Sequence, residues 1–285
     1  MITFRRILFP VDFSARNRAA VPLVRAMAMR FDAELTILHV LNVPPAGIAE
    51  AAAWMTLHGS DRLRQQGKTA LDSFVARELP DLRVRAEDAE GDPATIIVEY
   101  ARDRGADLIM LPTTGIGPFR RLLLGSVTAK VLHDTAVPVW TGVHTDDNVA
   151  HPSDRWKRLL CALDDDQRDL PILQWAAEFA IEQDLELQLV HAVGGPEECE
   201  ENSSLRKFLF DVAGERLEQL QAQAGTKLET CLKLGKVGRV VHQAAMGYAA
   251  DLVVIGRGAI QQSFGRLRSG AYEIIREAPC SVISV

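Results

Sequence analysis

Short apolar runs alternate with amphipathic stretches along the whole chain. The runs are rich in Ile, Leu and Val and lack polar alternation, which is typical of strands covered by helices on both faces of a sheet. In the first half they predict strands near 5–11, 34–41, 82–88, 107–111 and 137–142. Helical patterns fill 15–31, 61–79, 92–104 and 126–134. Strands that alternate with helices predict an α/β fold with a doubly wound parallel sheet and right-handed crossovers.

The second half of the chain repeats the first. Its strands are predicted near 157–163, 186–192, 227–233, 251–255 and 280–285. The clearest matches pair 4–14 with 156–166, 33–42 with 185–194, 91–111 with 235–255, and 128–142 with 271–285. Because these matches occur in the same order in both halves, they indicate a tandem duplication. The segment between the copies has linker composition, so we predict domains over 1–142 and 155–285 and a linker over 143–154.

The last strand of each copy is predicted to lie at an edge of its sheet. The two edges, "VPVWTG" and "CSVISV", are apolar, and an uncovered apolar edge invites pairing with another strand. We therefore expect the two last strands to pair within one chain. A homodimer formed through other surfaces stays open.

Composition narrows the class of protein. The 285 residues are 47% hydrophobic and 25% charged, which fits globular domains with sizeable cores. A net charge of −6 disfavours nucleic-acid binding, which needs a basic face. The sequence has neither an apolar run long enough to span a membrane nor a signal-peptide layout. Its four cysteines form no Cys-x-x-Cys pair, which predicts reduced thiols and a cytoplasmic location.

The segment "MLPTTGIGPFRRLLLGSVTAKVL" (110–132) carries the main candidate site. Its apolar run ends at Leu111, and Gly115 is separated by nine residues from Gly125 and Ser126, which lead into a helical pattern. Glycines let the backbone approach an anion closely, and the free amides at a helix start attract phosphate. Ligands of open α/β sheets bind beyond the carboxyl ends of strands. Further donors in this loop and further strand-end residues are Thr113, Thr114, Arg120, Arg121, Asp12 and Val40.

These residues resemble the universal stress protein family in its tandem, two-domain form. The family signature is Gly-x-x-Gly, nine residues, then Gly-Ser or Gly-Thr, and Pro112 stands here in place of the opening Gly. The resemblance implies five strands per domain in the order 3-2-1-4-5, an adenine nucleotide alpha hydrolase-like fold and a role in stress adaptation. It also implies ATP or another adenine nucleotide as ligand, with or without Mg²⁺. The implied contacts are Pro10, Val11, Asp12, Val40, Leu111, Pro112, Thr114, Gly115, Gly125, Ser126 and Val127.

The two copies differ in how well they keep the signature. Pro112 removes one backbone donor, and if that donor met a phosphate the loss would be roughly 1.5–3 kcal/mol. The second copy has Ala259 opposite Gly115 and Arg268 opposite Gly125, so we expect a degenerate partner domain. Its weaker candidates are Asp164, Ala192, Gly256, Gly258, Arg268 and Ser269. Its basic cluster, which we favour as a solvated or interface cluster over a phosphate site, is Arg257, Arg266 and Arg268.

Other polar groups point less clearly to chemistry. The three carboxylates at 164–166 suit a solvated loop or helix cap better than a cation site, because adjacent residues point in different directions. His39 and His191 repeat inside strands, where a hydrogen-bonded buried His is favoured over a metal ligand. The common catalytic motifs are missing from the sequence. Two alternatives to a nucleotide-binding regulator stay open: a nucleotide-free scaffold, and a weak ATPase in which Asp12 orients water.

Overall fold

The computed structural model describes residues 2–42, 60–112, 124–142, 156–164, 167–195, 204–257 and 269–285. The chain divides into two compact units, one for each sequence copy. The predicted linker, 143–154, lies outside the described residues. None of the helices in the described part of the chain combines the length and the apolar character that crossing a bilayer requires.

The first unit alternates strands and helices, as its sequence pattern predicts. Its described elements are β1 (Arg6–Val11), α1 (Ala15–Arg30), β2 (Glu34–Asn42), α2 (Ser60–Glu78), β3 (Val84–Gly91), α3 (Pro93–Asp103), β4 (Leu108–Pro112), α4 (Ser126–Asp134) and β5 (Val139–Gly142). The strands pair in parallel in the order β3-β2-β1-β4-β5. The predicted 3-2-1-4-5 order is therefore confirmed.

The second unit has the same arrangement. After β6 (Arg158–Ala162) and a short 3₁₀ turn (Gln167–Asp169), its described elements are α5 (Leu170–Gln183), β7 (Glu186–Val193), α6 (Ser204–Ala224), β8 (Thr230–Leu234), α7 (Val237–Tyr248), β9 (Leu252–Ile255), α8 (Ser269–Glu277) and β10 (Ser281–Ser284). The strands are parallel in the order β8-β7-β6-β9-β10. The duplication seen in the sequence is a duplication of the fold.

The core of each unit is centred on its middle strands. Consecutive residues are buried along β1 and β4, and the same holds for β9 in the second unit. Because successive side chains of a strand point to opposite faces, continuous burial means that both faces of these strands are covered. The edge strand β3 is mostly polar and partly exposed, which limits unwanted pairing at that edge.

The element boundaries differ from the predicted ones by a few residues. β3 runs over Val84–Gly91 rather than 82–88, and β8 begins at Thr230 rather than 227. Apolar runs mark what is buried, whereas the ends of a strand are set by its hydrogen-bonded ladder. The ladder with β2 continues until Asn42 lies opposite Gly91, so β3 extends beyond its apolar residues. The pairing of the two last strands stays a prediction.

Candidate functional site

A cavity of about 250 Å³ lies at the carboxyl ends of β1, β2 and β4 in the first unit. Every predicted contact residue of this copy that the structure describes lines this cavity. These residues are Pro10, Val11, Asp12, Val40, Leu111, Pro112, Gly125, Ser126 and Val127. The remaining predicted residues of the loop, which are Thr113, Thr114, Gly115, Arg120 and Arg121, lie outside the described residues. Parallel strands end at one edge of the sheet, which is why segments far apart in sequence meet here.

The first turn of α4 forms one wall of the cavity. Gly125 is the N-cap residue, and within the described residues no side chain caps this helix. The backbone amides of the first turn of a helix have no partner within the helix, and they carry the positive end of the helix dipole. Ser126 and Val127 begin the helix, and both line the cavity. This wall can therefore accept an anion.

The turn from β1 into α1 forms the opposite wall, and Asn17 holds it in place. The Asn17 side chain, 2% exposed, accepts a hydrogen bond from the Asp12 amide at 2.8 Å and donates one to the Pro10 carbonyl at 3.3 Å. Ser14 caps α1, and its amide donates to the Asp12 carboxylate at 2.9 Å. Between them Phe13 has a left-handed backbone, with φ 59°. These bonds fix where Asp12 lies at the end of the strand.

Several residues of this cavity were not predicted from the sequence. They are Ser14, Arg16, Asn17, Leu38, Pro93, Ile97 and Thr128. Arg16 supplies a cation, and the same position of the second copy also holds an arginine, Arg168. That repetition was a usable signal for Arg16. The spacing of Ser14 and Asn17 after a strand, typical of a capped helix start, was a signal for the turn.

An ion pair connects α3 and α4 beside the cavity. Asp92 caps α3 by accepting a hydrogen bond from the Thr95 amide, and Lys130 of α4 donates to the same carboxylate at 2.8 Å. The bond from Lys130, followed by those from Thr95, holds the pKa of Asp92 well below its usual range. Pro93, the next residue, lines the cavity. Both side chains are about half exposed, so the pair orients the helices more than it stabilises them.

The two repeated histidines make hydrogen bonds, as predicted. His191 is buried, and its Nδ1 lies 2.8 Å from the Leu163 carbonyl oxygen. His39 leaves 13% of its side chain exposed, and its Nδ1 lies 2.6 Å from the Asp88 carboxylate. The Phe13 ring stacks on His39 at a centroid distance of 4.6 Å. Among the described residues no group of three or more His, Cys, Asp or Glu side chains could hold a metal ion.

The second unit has a cavity of about 580 Å³ at the equivalent strand ends. Three of its candidates, Asp164, Ala192 and Gly256, line this cavity. Ser269 begins α8, whereas Gly258 and Arg268 lie outside the described residues. The Asp164 amide donates to the carboxylate of Asp169 at 2.5 Å, so Asp169 holds this turn as Asn17 holds the first.

The basic cluster predicted in the second copy is only partly described. Arg266 and Arg268 lie outside the described residues. Arg257 is 7% exposed, and burial lowers the pKa of its guanidinium to about 10. Of the two alternatives expected for this cluster, the solvated one is therefore wrong for Arg257, and the interface one stays a prediction. Arg257 lies two residues beyond the buried strand β9, and its amide donates to the Val285 carbonyl at 3.2 Å, which keeps the backbone against the sheet. Of the three carboxylates at 164–166, only Asp164 is described, and it is exposed.

Both halves of the chain are similar to known proteins. A model of the universal stress protein family matches residues 3–141 and again 155–285. A universal stress protein of Methanocaldococcus jannaschii is 34% identical over 139 residues, which cover 48% of this chain and 80% of that protein. One of Mycolicibacterium smegmatis is 30% identical over 153 residues, which cover 52% of this chain and 50% of that protein.

Solved structures share the fold over both copies. A universal stress protein of Archaeoglobus fulgidus aligns with a TM-score of 0.60 at 20% identity, over 100% of this chain and 97% of that one. A functionally unknown protein of Pseudomonas aeruginosa aligns with a TM-score of 0.65 at 17% identity, over 99% of this chain and 92% of that one. At these identities the likeness shows the fold.

Proposed function

The chain belongs to the universal stress protein family, and from this premise we propose that its first domain binds ATP or a related adenine nucleotide. The observation that carries the proposal is the cavity at the strand ends, into which the uncapped start of α4 opens opposite Asp12. The bound nucleotide would act as a regulatory ligand in stress adaptation. The proposed domain limits are 1–142 and 155–285, with the linker over 143–154.

The walls of the cavity offer a distinct partner to each part of a nucleotide. The apolar wall around Leu38 and Val40 suits the base. The Asp12 carboxylate accepts hydrogen bonds from the N–H or O–H groups of a base or ribose. The phosphates would meet the first-turn amides of α4, and Arg16 adds a positive charge. Mg²⁺, where present, would arrive bound to the phosphate oxygens, since they are the ligands that this ion prefers.

Two further proposals concern the location of the protein in the cell and the pairing of its two last strands. Cysteine usage without paired motifs supports a reducing, cytoplasmic location. The apolar sequence of the two last strands supports their pairing within the chain, and an additional homodimer is compatible with it.

A nucleotide-free scaffold is the second candidate, and two observations favour it. The cavity, at about 250 Å³, is smaller than most small-molecule sites, which measure about 300–1,000 Å³. Pro112 lies on its wall without an N–H to offer, which would weaken phosphate binding by about one to two decades. Weak ATP hydrolysis is a third candidate, which rests on Asp12 and the glycine-containing loop after β4.

A thermal-shift series with ATP, ADP and AMP separates these candidates. At 100 times its dissociation constant, a ligand stabilises the fold by about 2.7 kcal/mol, which raises the Tm of a domain of this size by roughly 10 °C. A shift without phosphate release supports the regulatory binder, and a shift with slow release supports the hydrolase. If none of the three nucleotides shifts the Tm, the scaffold is the better description.

The variant Gly125→Asp tests the site itself. Asp is a favoured N-cap residue, so the variant should fold, but its carboxylate would occupy the first-turn amides of α4 and repel phosphates. We expect the ATP-induced shift to disappear. The matched control is Arg268→Asp, which introduces the same carboxylate at the equivalent position of the second copy and should leave the shift intact. A full ATP shift in Gly125→Asp would show that α4 does not bind the phosphates.

A further inference from the structure

The cavity of the second domain lies at the same strand ends as the cavity of the first, but it has a different volume and different ionisable wall residues. Its walls come from the same positions of the repeat. Equivalent wall residues are Val11 and Leu163, Leu38 and Val190, Ile97 and Val241, and Leu111 and Ile255. Yet its volume is about 580 Å³ against about 250 Å³. If the second cavity were only a nucleotide site that had lost its function, its larger volume and its intact apolar lining would have no explanation.

Several wall residues of the second cavity are smaller than their equivalents in the first. The second copy has Ala192 for Val40, Gly256 for Pro112, Gly270 for Val127 and Ala271 for Thr128. Each change removes side-chain atoms from the wall. The last of them also removes a hydroxyl group. Its volume now lies within the usual range of about 300–1,000 Å³ for small-molecule sites.

The charge of the wall also changes, in the direction that disfavours anions. Within the part of the first domain that the structure describes, the ionisable wall residues are Asp12 and Arg16, one of each sign. Among the described residues of the second domain they are Asp164, Asp169 and Arg168, which are two carboxylates and one guanidinium. Asp169 replaces the neutral Asn17 and is 5% exposed. A like charge near a buried carboxylate is repelled more strongly than in water, because the local dielectric is lower.

We propose that this cavity binds an uncharged, largely apolar small molecule that carries an N–H or O–H donor. The apolar walls contributed by β6, β7, α7 and α8 provide the binding energy by burying the ligand's surface. The carboxylates of Asp164 and Asp169 favour a donor over an anion. The two domains are then complementary in chemistry, and the second site does not depend on nucleotide binding in the first.

Two dyes with one skeleton test the proposal. N-phenyl-1-naphthylamine is neutral with one N–H group, and 1-anilinonaphthalene-8-sulfonate adds a sulfonate to the same rings. We expect the full chain to bind the neutral dye at one saturable site, at least tenfold more tightly than the sulfonate. Saturating ATP should not change the affinity of the neutral dye. Tighter binding of the sulfonate, competition by ATP, or the absence of saturable binding would each overturn the proposal.

Variants then locate the dye. Ala192→Val combined with Ala271→Thr restores the side chains that the first copy carries, so the fold should tolerate them, and we expect at least a tenfold loss of affinity. The control Ala222→Val makes the same change at an exposed position of α6 and should bind normally. Unchanged affinity in the double variant would place the dye elsewhere.

A separate variant keeps the proposal testable if the double variant does not fold. Asp169→Asn copies the neutral residue of the first domain, and it should narrow the preference for the neutral dye by several-fold. An unchanged preference would show that this carboxylate does not select against anions.

Discussion

Asn17 is expected to be the residue on which the first strand-to-helix turn depends most. It is 2% exposed, and its amide group both accepts from the Asp12 amide and donates to the Pro10 carbonyl. Replacing Asn17 by Ala removes both bonds while leaving the backbone groups in place. A buried polar group that loses its partner costs more than the bond itself contributed.

The size of the effect can be worked out bond by bond. Asp12 is exposed, so water can reach its amide and the lost bond should cost about 1 kcal/mol. The bond to the Pro10 carbonyl is buried, and its loss should cost about 1–2 kcal/mol. Together we expect the free energy of unfolding to fall by about 2–3 kcal/mol. For a domain of this size the Tm should fall by roughly 10 °C.

Differential scanning calorimetry on the full chain, together with urea unfolding, would measure this change. The control is Arg18→Ala on the same turn of α1, where the side chain is 45% exposed and its ion pair with Glu78 is 4.0 Å long. Such exposed pairs contribute little, so the control should stay within about 0.5 kcal/mol of the parent protein. If Asn17→Ala also stays within that range, water or another side chain replaces Asn17 and our account of the turn is wrong.

Two further predictions concern ionisable groups. The hydrogen bond from Lys130 lowers the pKa of Asp92 in the folded state. The contribution of Asp92 to stability is therefore present above its unfolded pKa of about 4 and is lost as the pH falls through its folded pKa. Asp92→Asn should lower the Tm at pH 7 and lower it progressively less below pH 4, and thermal melts in which the Tm falls equally at every pH would contradict this. Burial raises the pKa of Cys280 to about 12 and also raises that of Cys161. Because the thiolate is the reactive form, neither cysteine should react with iodoacetamide at pH 8 until urea unfolds the chain. Labelling of either cysteine in the native protein, detected by peptide mass spectrometry, would refute this.

Much of the fold could be predicted from sequence because its signals are local. The continuous apolar runs at β1 and β4 indicated strands buried on both faces, and the structure confirms that burial. The order of the strands followed from the family resemblance. The prediction was weaker at edge strands such as β3, because their ends depend on the ladder of the neighbouring strand.

The candidate site was also predictable only where its residues follow from local sequence. Asp12 could be predicted from its position after an apolar run, and Val40 followed from the family resemblance. The importance of Asn17 for the turn could not be predicted, because the sequence pattern of α1 does not show that its side chain donates a hydrogen bond to the Pro10 carbonyl. Arg257 was expected in a solvated or interface cluster, and the hydrogen bond from its amide to the Val285 carbonyl could not be read from the sequence.

The sequence by itself determined the duplication, the parallel α/β class and the end of the sheet at which ligands would bind, because each of these depends on contiguous residues or on their repetition. The tertiary structure alone decided that the second copy has the larger cavity. That cavity depends on small residues from separate segments, among them Ala192, Gly256 and Ala271, and on a buried carboxylate at Asp169. The volume of a cavity is what all its walls together leave empty, and no single stretch of the chain contains that information.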